Sequence, residues 1–176
     1  MFSFCALGNF EWKGLRLALE ALSTLQDSRA HLVVIGGGKG EIAEYARMAE
    51  KLGVASKVRF AGLQSDIRPF LWASDAFLFP SAYETFPLVC LQAAAAGLPL
   101  LTTPLYGVEE FAAGGETGWT MDRSVESIAA AMRCAIAKGA ELAQLGNAAR
   151  ARALGYGADK FQAKWRALID ELLSVR

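Results

Sequence analysis

The sequence predicts an α/β fold, an open parallel sheet with helices on both faces. Short runs recur that are almost continuously apolar, as strands covered on both sides are. Between them, apolar residues fall at helical spacing. Four of the five loops that follow the runs contain glycine.

The expected strands are Phe2 to Gly8, His31 to Gly37, Lys57 to Gly62, Asp75 to Ser81 and Leu98 to Thr103. After the first, Leu15, Leu17, Ala18, Ala21, Leu22 and Leu25 trace one helical face; after the second, Ile42, Tyr45, Ala46, Ala49 and Leu52 trace another. A third helix is expected over about 67–73. A fourth covers about 87–96, with Pro87 in its first turn and Gly97 and Pro99 beyond its end. Strands alternating with helices imply right-handed crossovers and a Rossmann-like sheet. After Gly115 to Trp119 the strands are expected to stop. Three helices follow, over about 124–137, 140–153 and 159–173, as a cap on the same domain, 1–176.

Composition bounds the function. Eighteen basic residues balance eighteen acidic ones, so neither nucleic acid nor an anionic membrane is implied as the main partner. Any anion site must be local. The apolar fraction is 53% and the mean hydropathy +0.26, yet no apolar run is long enough to cross a bilayer. A buried parallel sheet explains this, and so does a partner surface. Cys5, Cys90 and Cys134 lie in apolar surroundings without metal-ligand spacing, which fits reduced core thiols in a cytoplasmic protein. The opening residues lack the basic start and apolar stretch of a signal peptide.

Ligands of open α/β sheets bind at the carboxyl ends of the strands. The loop Gly36 to Gly40 fails the phosphate-loop pattern, because Gly40 follows Lys39, and fails the dinucleotide pattern at Glu41. Backbone turning and ligand contact both remain readings of its glycines. Lys13 is expected near a helix N-terminus, where an anion is already favoured; a solvated surface lysine is the alternative. His31, the single histidine, falls at the far end of the sheet from these loops. Glu84 lies in the loop after the fourth strand, and Gln92, eight positions on, lies in the helix that this loop launches. Glu84 could instead merely cap that helix. The helix start offers free amides from Phe86, Leu88 and Val89, but none from Pro87. No nucleophile elbow, Cys/His pair or Asp-rich metal motif occurs.

In order along the chain, LGNFEWKGLRLALEAL, LVVIGGGKGE, KVRFAGLQSDIRPFLWASDAFLFPSAYETFPLVCLQAAAAGLPLLTT and YGVEEFAAGGETGW resemble the C-terminal, donor-binding domain of the group 1 (family 4) retaining glycosyltransferases of the GT-B fold. The resemblance implies transfer of a sugar from a nucleoside-diphosphate sugar to an acceptor, with retention and without a required metal or other cofactor. The setting would be cell-surface polysaccharide or lipopolysaccharide assembly.

By that resemblance Glu84 and Lys13 are catalytic. Glu84 faces the donor sugar, Lys13 holds the diphosphate with the amides of Phe86, Leu88 and Val89, and position 92 holds the ribose hydroxyls. The family's second glutamate is Gln92 here, and an arginine often found in the first loop is Asn9. Thr85 and Pro87 stand where glycine is often found, which narrows the space beside the sugar. Gly38 belongs to the Gly-containing second loop, and Leu63 to the Gly62 to Ile67 loop implied to lie against the nucleobase. Glu110 matches a recurrent glutamate without an assigned role. An N-terminal acceptor-binding domain is expected in cis or in trans, so the domain alone should be inactive. Phe161, Trp165, Leu168 and Leu172 would face that domain. Location would be cytoplasmic, at the inner face of the membrane where the acceptor is membrane-bound, with peripheral membrane contact through the acceptor domain. A degenerate nucleotide-sugar-binding subunit and an interaction domain without a ligand are the competing classes.

Overall fold

The computed structural model describes residues 1–27, 29–112 and 114–174. Its elements are β1 (Phe2–Ala6), α1 (Phe10–Lys13), α2 (Leu15–Thr24), β2 (Leu32–Gly36), α3 (Lys39–Lys51), β3 (Val58–Gly62), α4 (Arg68–Trp72), β4 (Ala76–Phe79), α5 (Leu88–Ala95), β5 (Leu100–Thr102), β6 (Gly118–Thr120), α6 (Val125–Lys138), α7 (Leu142–Ala153) and α8 (Ala158–Ser174). All strands pair in parallel, in the order β3-β2-β1-β4-β5-β6. The order reverses between β1 and β4. A crevice opens there, because the connections leaving these two strands run to opposite sides.

The five expected strands are present. A sixth, β6, is added where strands were expected to stop; it pairs Gly118 with Leu100 and Thr120 with Thr102. It spans only three residues and carries no apolar run, so periodicity could not announce it. Another correction concerns β3, which was expected to be covered on both faces. It is an edge strand, its Arg59 is exposed, and its other residues are only half-buried. The central strands behave as expected: every residue of β2 and β4 is buried.

The core lies on both sides of β1 and β4. Phe4 meets Phe10 edge-on at 5.8 Å and Phe79 at 6.1 Å, while Phe10 meets Tyr45 of α3 at 5.5 Å. These contacts hold α1 and α3 against the ends of the strands, which is where the site forms. The predicted α2 face is fully buried; α2 packs on α6, and α5 packs on α7. α6 begins at Ser124, whose hydroxyl accepts from the Ser127 amide at 3.2 Å, a standard N-cap. α8 differs from the rest: none of its described residues is buried, and Phe161, Trp165, Leu168 and Leu172 are all exposed. It therefore does not cap the sheet as expected. No helix is long and apolar enough to cross a membrane among the described residues.

The thiols also depart from expectation. Cys90 is buried and Cys5 half-buried, but Cys134 is exposed on α6. His31 is exposed just before β2, away from the crevice, with Nδ1 3.2 Å from the Arg29 carbonyl oxygen.

Candidate functional site

The loops after β1 and β4 meet at the switch point, and several contacts fix them together. Gly14, at φ +83, links α1 to α2 where a side chain would run into the Pro80 carbonyl. The left-handed turn and the close approach both call for glycine. The Ala82 amide donates to the Trp12 carbonyl at 2.8 Å. Arg123 donates to the Glu11 carbonyl at 2.8 Å and to the Pro80 carbonyl at 3.3 Å, so one guanidinium bridges both loops.

This geometry delivers Lys13 to Glu84. Their side chains form a direct ion pair, with the Lys13 Nζ also 5.8 Å from the centre of the Phe79 ring. The same Glu84 oxygen accepts from the Ser81 hydroxyl at 2.9 Å. Ser81 is held in turn by its carbonyl, which accepts from Thr103 at 2.6 Å. Glu84 therefore does not cap α5: Pro87 takes the N-cap position and no side chain caps the helix. Lys13 ends the single turn α1 and stands just before α2, a placement slightly different from the expected helix start.

A cavity of about 1040 Å³ lies over this pair. The loop after β1 contributes Gly8, Asn9 and Lys13; the loop after β4 contributes Glu84 and Phe86; α5 contributes Leu88, Val89 and Gln92. The amides of Leu88 and Val89 have no acceptor among the described residues. They and the pole of α5 offer an anion-binding edge. Seven of the ten predicted donor-site residues thus line one cavity. Thr85 is exposed outside its lining, and so are Gly38 and Leu63.

The second glycine loop stays outside for a visible reason. Glu41, in the first turn of α3, turns its carboxylate toward the first loop and accepts from the Phe10 amide at 2.6 Å. The start of α3 is thereby committed to positioning loop one. Asn9 is the only described non-glycine residue at positive φ, 57°, a conformation Asn tolerates. Its carbonyl accepts from the Lys13 amide at 3.0 Å, so this strained turn shapes the segment that carries the lysine.

Sequence reasoning missed several lining residues, Arg68 and Trp72 among them. Both lie on α4, and Arg68 is held by Asp66 through bonds of 2.9 and 2.8 Å. That pair keeps the Asp66 carboxyl down at about 2. The two-residue spacing of Asp66 and Arg68 was the available signal. Burial pushes the Cys5 thiol, also in the cavity wall, up to about 11; burial, then the Glu84 charge, raises Cys90 well above the usual range. Neither thiol is an activated nucleophile. A smaller cavity of about 340 Å³, between the turn after β5 and β6, holds none of the predicted residues. Among the described residues no group of three or more His, Cys, Asp or Glu is placed to hold a metal ion.

A parallel sheet with a paired lysine and glutamate at its switch point, beneath a cavity edged by open helix amides, defines a Rossmann-like α/β domain. The chain belongs to the glycosyl transferases group 1, whose family model matches residues 3–152. It is 36% identical over 134 residues to the lipopolysaccharide core biosynthesis glycosyltransferase LpsE of Rhizobium meliloti (strain 1021), covering 71% of this chain and 38% of that protein. The crystal structure of WaaG, a glycosyltransferase involved in lipopolysaccharide biosynthesis, superposes with a TM-score of 0.77 at 30% identity, over 86% of this chain and 42% of WaaG. Alr3699/HepE from Anabaena, solved in complex with UDP, shares the fold with a TM-score of 0.83 at 22% identity, over 99% of this chain and 49% of HepE. The chain spans less than half the length of these relatives. Its fold class is that of the GT-B glycosyltransferases.

Proposed function

We propose that this chain is the donor-binding part of a retaining glycosyltransferase, which moves a sugar from a nucleoside-diphosphate sugar to an acceptor in lipopolysaccharide or other polysaccharide assembly. The observation that carries the reading is the Lys13–Glu84 pair beside the open amides of α5, inside one cavity at the switch point. Lys13 and the amides of Leu88 and Val89 would take the diphosphate and stabilise the charge of the departing nucleotide. Glu84, turned by Ser81, would orient the sugar, and Gln92 would meet the ribose, accepting from one hydroxyl and donating to the other. The reading needs no metal or further cofactor.

The acceptor would be bound by a separate domain, in cis or in trans, closing over the cavity. Closure supplies positioning and excludes water, so this part alone would transfer sugar slowly or not at all. The reaction would run on the cytoplasmic side, with membrane contact made through the acceptor domain. Titration calorimetry with UDP, GDP and ADP and their sugars tests the donor site: no heat from any of them at millimolar concentration sinks it.

Asn9 and Gln92 favour a second reading. Both line the cavity where the resemblance expects charged side chains, which suits a nucleotide-sugar-binding subunit that no longer catalyses. Joined to its acceptor domain, such a protein would bind donor and show no turnover.

A further inference from the structure

Phe86 stands in the wall of the main cavity, yet the groups that hold it do not touch the cavity at all. Its ring meets Phe111 at 5.9 Å and Tyr156 at 6.2 Å, and those two rings meet each other edge-on at 5.8 Å. On another side lies Gly107, at φ +80, where a side chain would overlap the Phe86 ring. Phe111 is fully buried, so one side of this brace is fixed by the core. Tyr156 is only half-buried and needs a tether. Its hydroxyl donates to the Glu110 carboxylate at 3.1 Å, with the Glu110 carbonyl oxygen 3.2 Å away. A tyrosine hydroxyl is a donor at neutral pH in any case, and burial first, then this hydrogen bond, raise its pKa further.

The three segments are far apart in sequence: the loop after β4, the turn after β5, and the 3-10 turn Leu154–Tyr156 that leads into α8. They converge on the residue just before Pro87, where α5 begins. Phe86 thus stands both in the cavity wall and at the point where Pro87, Leu88 and Val89 leave the loop.

We propose that Glu110 and Tyr156 are positioning residues of the donor cavity: the carboxylate fixes the phenol, the phenol's ring fixes Phe86, and Phe86 sets the edge from which α5 presents its first amides. The proposal rests on the donor-site reading for its ligand, but not for its geometry. Without the tether Tyr156 is free to rotate into solvent, and Phe86 loses one of its two aromatic neighbours.

The experiment has two arms on the same variants, Tyr156→Phe, Glu110→Ala, Glu110→Gln and the double variant Glu110→Ala/Tyr156→Phe. In the first, NMR of ring-labelled phenylalanine follows the Phe86 resonances without ligand, since two neighbouring rings displace them from their free values. They should move toward free values in Tyr156→Phe and Glu110→Ala, and stay in place in Glu110→Gln, which still accepts the hydrogen bond. In the second, UDP, GDP and ADP are titrated by calorimetry. Affinity for whichever nucleotide binds should fall by about threefold to tenfold in the first two variants, as losing one hydrogen bond implies. It should return in Glu110→Gln and fall no further in the double variant. Phe86 resonances that ignore both substitutions overturn the proposal. So do resonances that move while affinity stays within twofold of the wild type, for then the brace is structural only. Should the wild type bind no nucleotide, the donor-site reading falls, and the Phe86 resonances alone decide the brace.

Discussion

The Lys13 ammonium group is paired with the Glu84 carboxylate, so each of the two charged groups expected to grip a donor is held by the other before any donor arrives. Both side chains are largely shielded, at 25% and 14% exposure. On the proposed reading an incoming diphosphate would share Lys13 with Glu84.

Substituting either partner should have opposite effects on free nucleotide. Lys13→Ala removes the cation and should weaken UDP, GDP or ADP binding by about 10- to 100-fold, the range of a charge-assisted hydrogen bond. Glu84→Gln removes the competitor and a nearby negative charge, so free nucleotide should bind about threefold to tenfold more tightly. The added affinity conferred by the sugar should shrink in the same variant. Calorimetry on nucleotide and nucleotide sugar separates the two effects, and weaker free-nucleotide binding by Glu84→Gln would contradict the shared-lysine picture.

Gln92→Glu exchanges a neutral hydrogen bond for a charge-assisted one. If position 92 meets ribose, nucleotide affinity should rise by about tenfold, on the order of 1 kcal/mol. Equal affinities for wild type and variant would remove Gln92 from the ribose site.

At position 9 the backbone, more than the side chain, is decisive. Asn9→Ala puts an ordinary residue at φ 57 and should cost about 1 kcal/mol, seen as a lower urea midpoint with unchanged slope. Asn9→Gly should hold or raise the midpoint, since glycine adopts this conformation freely. A fall in both would point to a lost side-chain contact instead.

The thiols should separate by reaction rate. Cys134 is exposed and should react first with an aromatic disulfide reagent in the native state, half-buried Cys5 more slowly, while Cys90 should wait for unfolding. Cys5 holds its proton more tightly in the folded chain, with a pKa moved from 9.0 to about 11. Its contribution to stability is therefore complete below about pH 9 and is lost as pH rises through 11. In Cys5→Ala the alkaline decline of the melting temperature across that window should flatten.

Much of this molecule was legible in its residues, and the gaps have physical causes. The runs that became β1, β2, β4 and β5 announce themselves because central parallel strands must be apolar on both faces, whereas β6 is three residues long and carries no such mark. Glu84 and Gln92 could be placed through the helix that separates them, a local relation. The pairing of Lys13 with Glu84 could not, because it depends on β1 and β4 lying side by side. Gly38 sat in a loop of the right type, but nothing local revealed that Glu41 turns the start of α3 toward Phe10. Arg68 and Trp72 look like any surface residues until α4 places them at the cavity rim.

The pairing of β1 with β4 sets a schedule as well as a site. Lys13 and Glu84 are 71 positions apart, and three whole strands, β2, β3 and β4, with the helices α2, α3 and α4 intervene. A chain that has formed only the β1, β2 and β3 part of its sheet holds the lysine but has nothing to face it. The cavity therefore depends on the pairing of β1 with β4, a long-range closure of the kind that slows folding. Any ligand it takes will bind the completed sheet and not its precursors, drawing the population toward the finished fold in proportion to ligand concentration. Ligand binding at this cavity would thus also be a readout of whether the two halves of the sheet have met.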